Sequence, residues 1–133
     1  MADNDRSIFK VYLRAYHLNA STLAEKRVQD SAIAAANLQA TMPPVQSACM
    51  MVVILQILKR AVPLCSKATT SDAFASAHLL KGAIDATLAI ANYDISQLSR
   101  KDKAPYAGIS KKCADQSNLL IKQVNFLQNS AKK

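Results

Sequence analysis

Ala77, Leu80, Ile84, Leu88, Ala91, Ile95 and Leu98 recur at spacings of three and four residues. That is the repeat of one face of an α-helix, held over about six turns. A strand would need alternation at every second residue, and this stripe has none. Ser71-Asp72 stands before it as a helix-starting pair, so the spacing predicts a helix over 71–99 with one continuous buried face.

The rest of the chain agrees with a helical fold. Only 2 of 133 residues are Gly and 4 are Pro, fewer than sheets and their turns require. Half the residues are hydrophobic, enough for one core in one domain. Phe9, Tyr12, Leu13 and Tyr16 mark the apolar face of a first helix over 5–18. Thr22-Leu23-Ala24-Glu25 has the form of a capping box, in which each side chain bonds the other residue's free backbone N–H. It opens a second helix whose face is Ala24, Val28, Ala35, Leu38 and Met42, ended by Pro43-Pro44. A third helix over 44–61 is apolar almost all round, the pattern of a buried central helix. Its run from Ala48 to Leu58 is shorter than the roughly 20 residues a bilayer span needs. Pro63 stops it, and the longest connection is expected over 64–70. A last helix opens at Pro105 and buries Ile109, Cys113, Leu120, Val124 and Leu127, with Ser117 among them. The expected fold is all-α: one helical-bundle domain over 1–133, of four to five helices with up-down topology.

Formal net charge is +8, with eight Asp and a single Glu, Glu25. Such a balance favours anionic partners. Arg6, Lys10 and Arg14 lie at i, i+4, i+8, with His17 one turn on. Lys111, Lys112 and Lys122 form a second basic set, with Lys101, Lys103, Lys132 and Lys133 near the ends of that helix. Helix-borne cations at this spacing can follow a phosphate backbone. Seven aromatic residues, none of them Trp, leave little for base stacking. Cys49, Cys65 and Cys113 are odd in number and form no C-x-x-C pair, which fits free thiols in a reducing compartment. The polar N-terminus MADNDRS lacks the apolar run of a secretory signal. With two histidines and one glutamate, no metal cluster, cofactor motif or catalytic constellation is expected.

Residues 76–82 read SAHLLKG. Relative to Ile84, His78 and Gly82 fall on the solvent side of their helix and Lys81 at its boundary. At Ala77-His78-Leu79-Leu80-Lys81-Gly82 the chain resembles the histidine-phosphotransfer domain. That resemblance implies a four-helix bundle with His78 as phospho-acceptor, Lys81 as its charge partner and Gly82 as a gap for a docking protein. Asp85, four residues after Lys81, is placed to pair with it instead.

The sequence thus predicts a small, basic, non-enzymatic helical binding protein. It would be intracellular, cytoplasmic or nuclear. Its partner would be anionic, nucleic acid ahead of a membrane surface, engaged by Arg6, Lys10, Arg14, Lys111, Lys112 and Lys122. Two alternatives stand beside this: phosphotransfer through His78, or an adaptor that binds another protein's helix. The long apolar stripes also suit self-association.

Overall fold

Thr22 and Glu25 form the reciprocal cap expected of them. In the computed structural model, which describes residues 2–130 and side chains from Arg6 onward, the Glu25 N–H donates to Thr22 Oγ1 at 3.2 Å and the Thr22 N–H donates to Glu25 Oε2 at 2.8 Å. Lys132 and Lys133 lie outside the described residues. Four α-helices follow in chain order: α1 (Ala2–Tyr16), α2 (Leu23–Ala61), α3 (Lys67–Ser96) and α4 (Arg100–Ser130), with a 3-10 turn at Val62–Leu64 between α2 and α3. Among the described residues there is no strand, and the fold is an all-α bundle.

The two helices expected on either side of Pro43-Pro44 are one. α2 runs through both prolines for 39 residues. The prolines cannot donate to the carbonyls of Gln39 and Ala40, of which Gln39 is an exposed residue and Ala40 a half-buried one. Thr41, Val45 and Ala48 are buried on either side of the break, so packing carries the helix across it. The Thr41 hydroxyl donates to the Asn37 carbonyl at 2.8 Å, one turn back. The added length corrects the reading of membrane propensity as well. A window of α2 is now long and apolar enough to cross a bilayer by length and composition alone. Core helices of globular bundles pass the same test.

α3 begins at Lys67, four residues before the expected Ser71, with Ser66 as its N-cap. The Ser66 carbonyl accepts from the N–H groups of Thr69 and Thr70. α4 begins at Arg100, five residues before Pro105 opens it in the sequence reading, with Ser99 just ahead of it. Ser99 Oγ accepts from the Asp102 N–H at 3.3 Å and donates to Asp102 Oδ2 at 2.7 Å. Pro105 therefore sits inside the helix, and the Lys101 carbonyl that lacks its donor belongs to an exposed residue.

The core lies between α2, α3 and α4. Ala48, Val52 and Leu55 meet Phe74, Ala77, Ile84 and Leu88 of α3 and Cys113 and Val124 of α4. Fully burying a residue such as Leu55 or Ile84 contributes about 1.5–3 kcal/mol. Val45, Ala91 and Ile95 cluster with Tyr106 at one end of the bundle. The expected α3 stripe is all buried except Leu80, which is half-buried. In α4, Ser110 joins the buried face and Ile109 leaves it. Ser110 Oγ donates to Asn92 Oδ1 of α3 at 2.7 Å, a small polar residue that keeps its hydrogen bond inside a close helix contact.

Among the described residues, α1 packs on α2 and on no other element. Gln29 ties the connection down, its amide donating to the carbonyls of Tyr16 and Leu18. The face α1 turns inward is Ile8, Tyr12 and Ala15, while Phe9, Leu13 and Tyr16 are exposed. The sequence placed those three inside with Tyr12. The α2 stretch opposite differs in the same way: Ala36 and Thr41 are buried, and Ala24, Val28, Ala35 and Met42 are not. An Ala-rich helix pair can rotate about its axes at little cost in apolar area, so spacing alone does not set which face turns in.

Candidate functional site

α2 and α4 run parallel, Val45 and Tyr106 meeting at one end and Lys59 facing Lys122 and Phe126 near the other. Along the seam between them lie three hollows, which together make up its groove. Its first part is apolar, a cavity of about 550 Å3 lined by Met42, Val45, Cys49, Met50, Tyr106 and Ile109 with Gln46. Its second part is polar and basic. Gln56, Lys59 and Arg60 of α2 face Gln116, Leu120 and Gln123 of α4 around about 270 Å3. A neighbouring hollow of about 400 Å3 adds Lys122, Phe126 and Leu127. Among the described residues, none of Lys59, Arg60 and Lys122 is paired with a carboxylate.

The helix spacing explains this division. On α2 the residues at 42, 46, 49, 56 and 60 follow one another at intervals of three, four or seven, a single line along one side of a helix. That line changes from Met and Cys to Gln and Arg as α2 approaches its end. The cations stand in the last turn, Lys59 and Arg60, where they also complement the helix dipole. A long groove, greasy at one end and cationic at the other, is suited to a ligand with an apolar body and an anionic tail. Its lining offers amides, cations, one thiol and one phenol. Among the described residues it contains no carboxylate or imidazole, and no group of three or more His, Cys, Asp or Glu is placed to hold a metal ion.

Among the described residues, Lys122 is the one cation of the two expected basic sets that lines this groove. Arg6, Lys10 and Arg14 are exposed on α1, and Lys111 and Lys112 are exposed on α4. α1 does not pack on α4, so the two basic sets are not gathered onto one face by helix contact. His78 is exposed as expected. Lys81 is held by Asp85, its Nζ 2.5 Å from both carboxylate oxygens, so it is not free to neutralise a phosphoryl group. Lys59 and Arg60 were missed as site residues. Nothing in their own neighbourhood marks them, because their partners lie some 60 positions away on α4.

Residues 1–115 match the family model described as formiminotransferase-cyclodeaminase. The chain belongs to the formiminotransferase-cyclodeaminase family. No curated protein matches it. Membership overturns the resemblance to the phosphotransfer domain. It equally overturns the reading as a nucleic-acid-binding module or adaptor, and the expectation that the protein is not an enzyme type, since the formiminotransferase-cyclodeaminase family is an enzyme family. The signal that misled is visible in the structure: a basic composition distributed over separate helices, and a six-residue motif whose lysine is already paired. The matched segment takes in all of α2, and thus one full wall of the groove. The α4 residues Gln116 to Leu127 lie beyond it.

Proposed function

We propose that this chain is a helical subunit of a formiminotransferase-cyclodeaminase-type enzyme of folate metabolism, and that the α2/α4 groove receives the folate-class ligand. The observation that carries this is the division of the groove. Met42, Met50, Tyr106 and Ile109 form an apolar slot for a flat ring system. Lys59, Arg60 and Lys122 stand unpaired beyond it, where the carboxylates of a folate tail would lie. Cations bind carboxylates by charge-assisted hydrogen bonds, and the glutamines between the two regions can fix the polar linkage.

The groove's residues bind and orient. Ring closure with loss of ammonia also needs proton transfer, and the lining lacks the carboxylate or imidazole usual for it. A second subunit is the source of such a group in this reading. Self-association is supported by Val53, Ile54 and Ile57, an exposed apolar band on the side of α2 away from its core. Bands of that kind mark interfaces.

The test is binding of a stable reduced folate, measured by titration calorimetry at low and physiological salt. Saturable binding that weakens with salt, and that falls about tenfold or more in Lys59→Ala/Arg60→Ala and in Tyr106→Ala, is the expected result. Binding unchanged in those variants would remove the groove from the reading. Ammonia release from a formimino-bearing folate tests the catalytic half separately.

A further inference from the structure

Cys49 of α2 and Cys113 of α4 are 64 residues apart in the sequence, and their sulfurs face each other across the floor of the groove at 3.0 Å. Both are free thiols. Their surroundings differ. Cys49 is half-buried and lines the open apolar cavity, so a small molecule in that cavity reaches its sulfur. Cys113 is 5% exposed and belongs to the core between the helices. It is not among the residues that line the cavity.

We propose that Cys49 and Cys113 form a dithiol that a small-molecule disulfide converts to an intramolecular disulfide, linking α2 to α4 midway along the groove. The Cys49 thiolate attacks one sulfur of the incoming disulfide. A Cys49 mixed disulfide forms, and the first small thiolate leaves and takes up a proton. The Cys113 sulfur then loses its proton and attacks Cys49 Sγ, expelling the second small thiol. The protein loses two protons and two electrons, and the reagent is reduced to two thiols. The sulfurs need to close by about 1 Å to reach the length of a disulfide bond, a shift that side-chain rotation and slight helix movement supply. Burial pushes the Cys113 thiol up to about 12, with the hydrogen bond to Cys49 and its charge adding to the effect. Cys113 therefore keeps its proton while Cys49 makes the first attack. That order matches the order of access.

Cys65 does not belong to the pair. Its Sγ donates to the Ala61 carbonyl at 3.5 Å, beyond the end of α2.

Glutathione disulfide is the probe, added to the full chain after reduction and removal of the reductant. The expected product has lost two hydrogens from its intact mass, keeps one maleimide-reactive thiol of three, and yields a peptide linking Cys49 to Cys113. In Cys113→Ser the reaction stops at the first step, and one glutathionyl group stays on Cys49. In Cys49→Ser, Cys113 stays unmodified. Helical circular dichroism checks that both variants fold. The wild-type peptide map decides the matter even if they do not. A stable glutathione adduct on wild-type Cys49, a cross-link through Cys65, or a cross-link between chains would each overturn the proposal. These readouts stand apart from folate binding, so the failure of one reading does not touch the other.

Discussion

Val52 and Val53 are neighbours in α2, yet Val52 is 5% exposed and Val53 is 55% exposed. Each belongs to a band. Val45, Ala48, Val52 and Leu55 face α3 and α4, while Val53, Ile54 and Ile57 lie on the other side of the same helix. A helix apolar on both sides has only one of them covered by its own chain.

The uncovered band should associate. Sedimentation at increasing concentration is expected to show a species larger than the monomer. Val53→Lys/Ile57→Lys should return the chain to monomer with its helical signal intact, because exposed substitutions change monomer stability by only about 0.5 kcal/mol. An unchanged sedimentation profile in that variant would place the interface elsewhere.

Leu55 and Ile57 should separate sharply in stability. Leu55 is fully buried, so Leu55→Ala leaves a cavity and is expected to cost about 2–5 kcal/mol in urea unfolding. Ile57→Ala removes a side chain already in solvent. In a monomeric background it should fall within about 0.5 kcal/mol of wild type. Equal losses at the two positions would contradict the orientation of α2.

Alkaline pH should weaken the bundle through Cys113. Burial, then the hydrogen bond and charge of Cys49, raise its thiol from an ordinary 9.0 to about 12, with Lys112 opposing. The unfolded chain releases this proton near pH 9 and the folded chain only near 12. The contribution to stability is whole below pH 9 and is lost as pH rises through 12. Urea unfolding of reduced wild type and Cys113→Ala, compared at pH 8 and pH 10.5, should show the steeper decline in wild type. Parallel declines would mean that Cys113 is as hydrated as a surface thiol.

Gly82 and Gly108 should accept a methyl group. A Cβ at either position meets nothing within 4 Å, and neither glycine has positive φ. Each lies inside a helix, where Ala is favoured over Gly by up to about 1 kcal/mol. Gly82→Ala and Gly108→Ala are each expected to raise the thermal midpoint. A fall at either site would reveal a close partner for that backbone.

The helical class could be read in the chain from particular residues. The α3 stripe from Ala77 to Leu98 turned inward as spaced, because seven apolar positions at helical spacing define one continuous face. The Thr22–Glu25 cap could be read as well, being a local hydrogen-bond pattern four residues long. Pro43-Pro44 was misread because proline reports the loss of backbone donors, while tertiary packing decides whether the helix survives that loss. The side of α2 that faces the core was also beyond reach. Met50 to Leu55 is apolar in every direction, and only α3 and α4 break the tie. The groove was hidden for a different reason. Gln56 and Lys59 become a site only when Gln116 and Gln123 stand opposite them, and no spacing along one helix records a neighbour on another.

α2 is a member of both packing units: α1 rests on it alone, and α3 and α4 enclose its other part. A hinge between two bodies is ordinarily a loop, which swings freely and is easily cut. Here the joint is a continuous rod of about 58 Å, with no linker for a protease to clip and no swivel for independent tumbling. With the 17–22 connection held by Gln29, motion of α1 together with the start of α2 against α3 and α4 is a bend of α2 itself. It is cheapest at Pro43-Pro44, where two rungs of the hydrogen-bond ladder are already missing. That point lies beside Met42 and Val45 at the mouth of the apolar cavity, so flexing the arm and reshaping the groove are one movement.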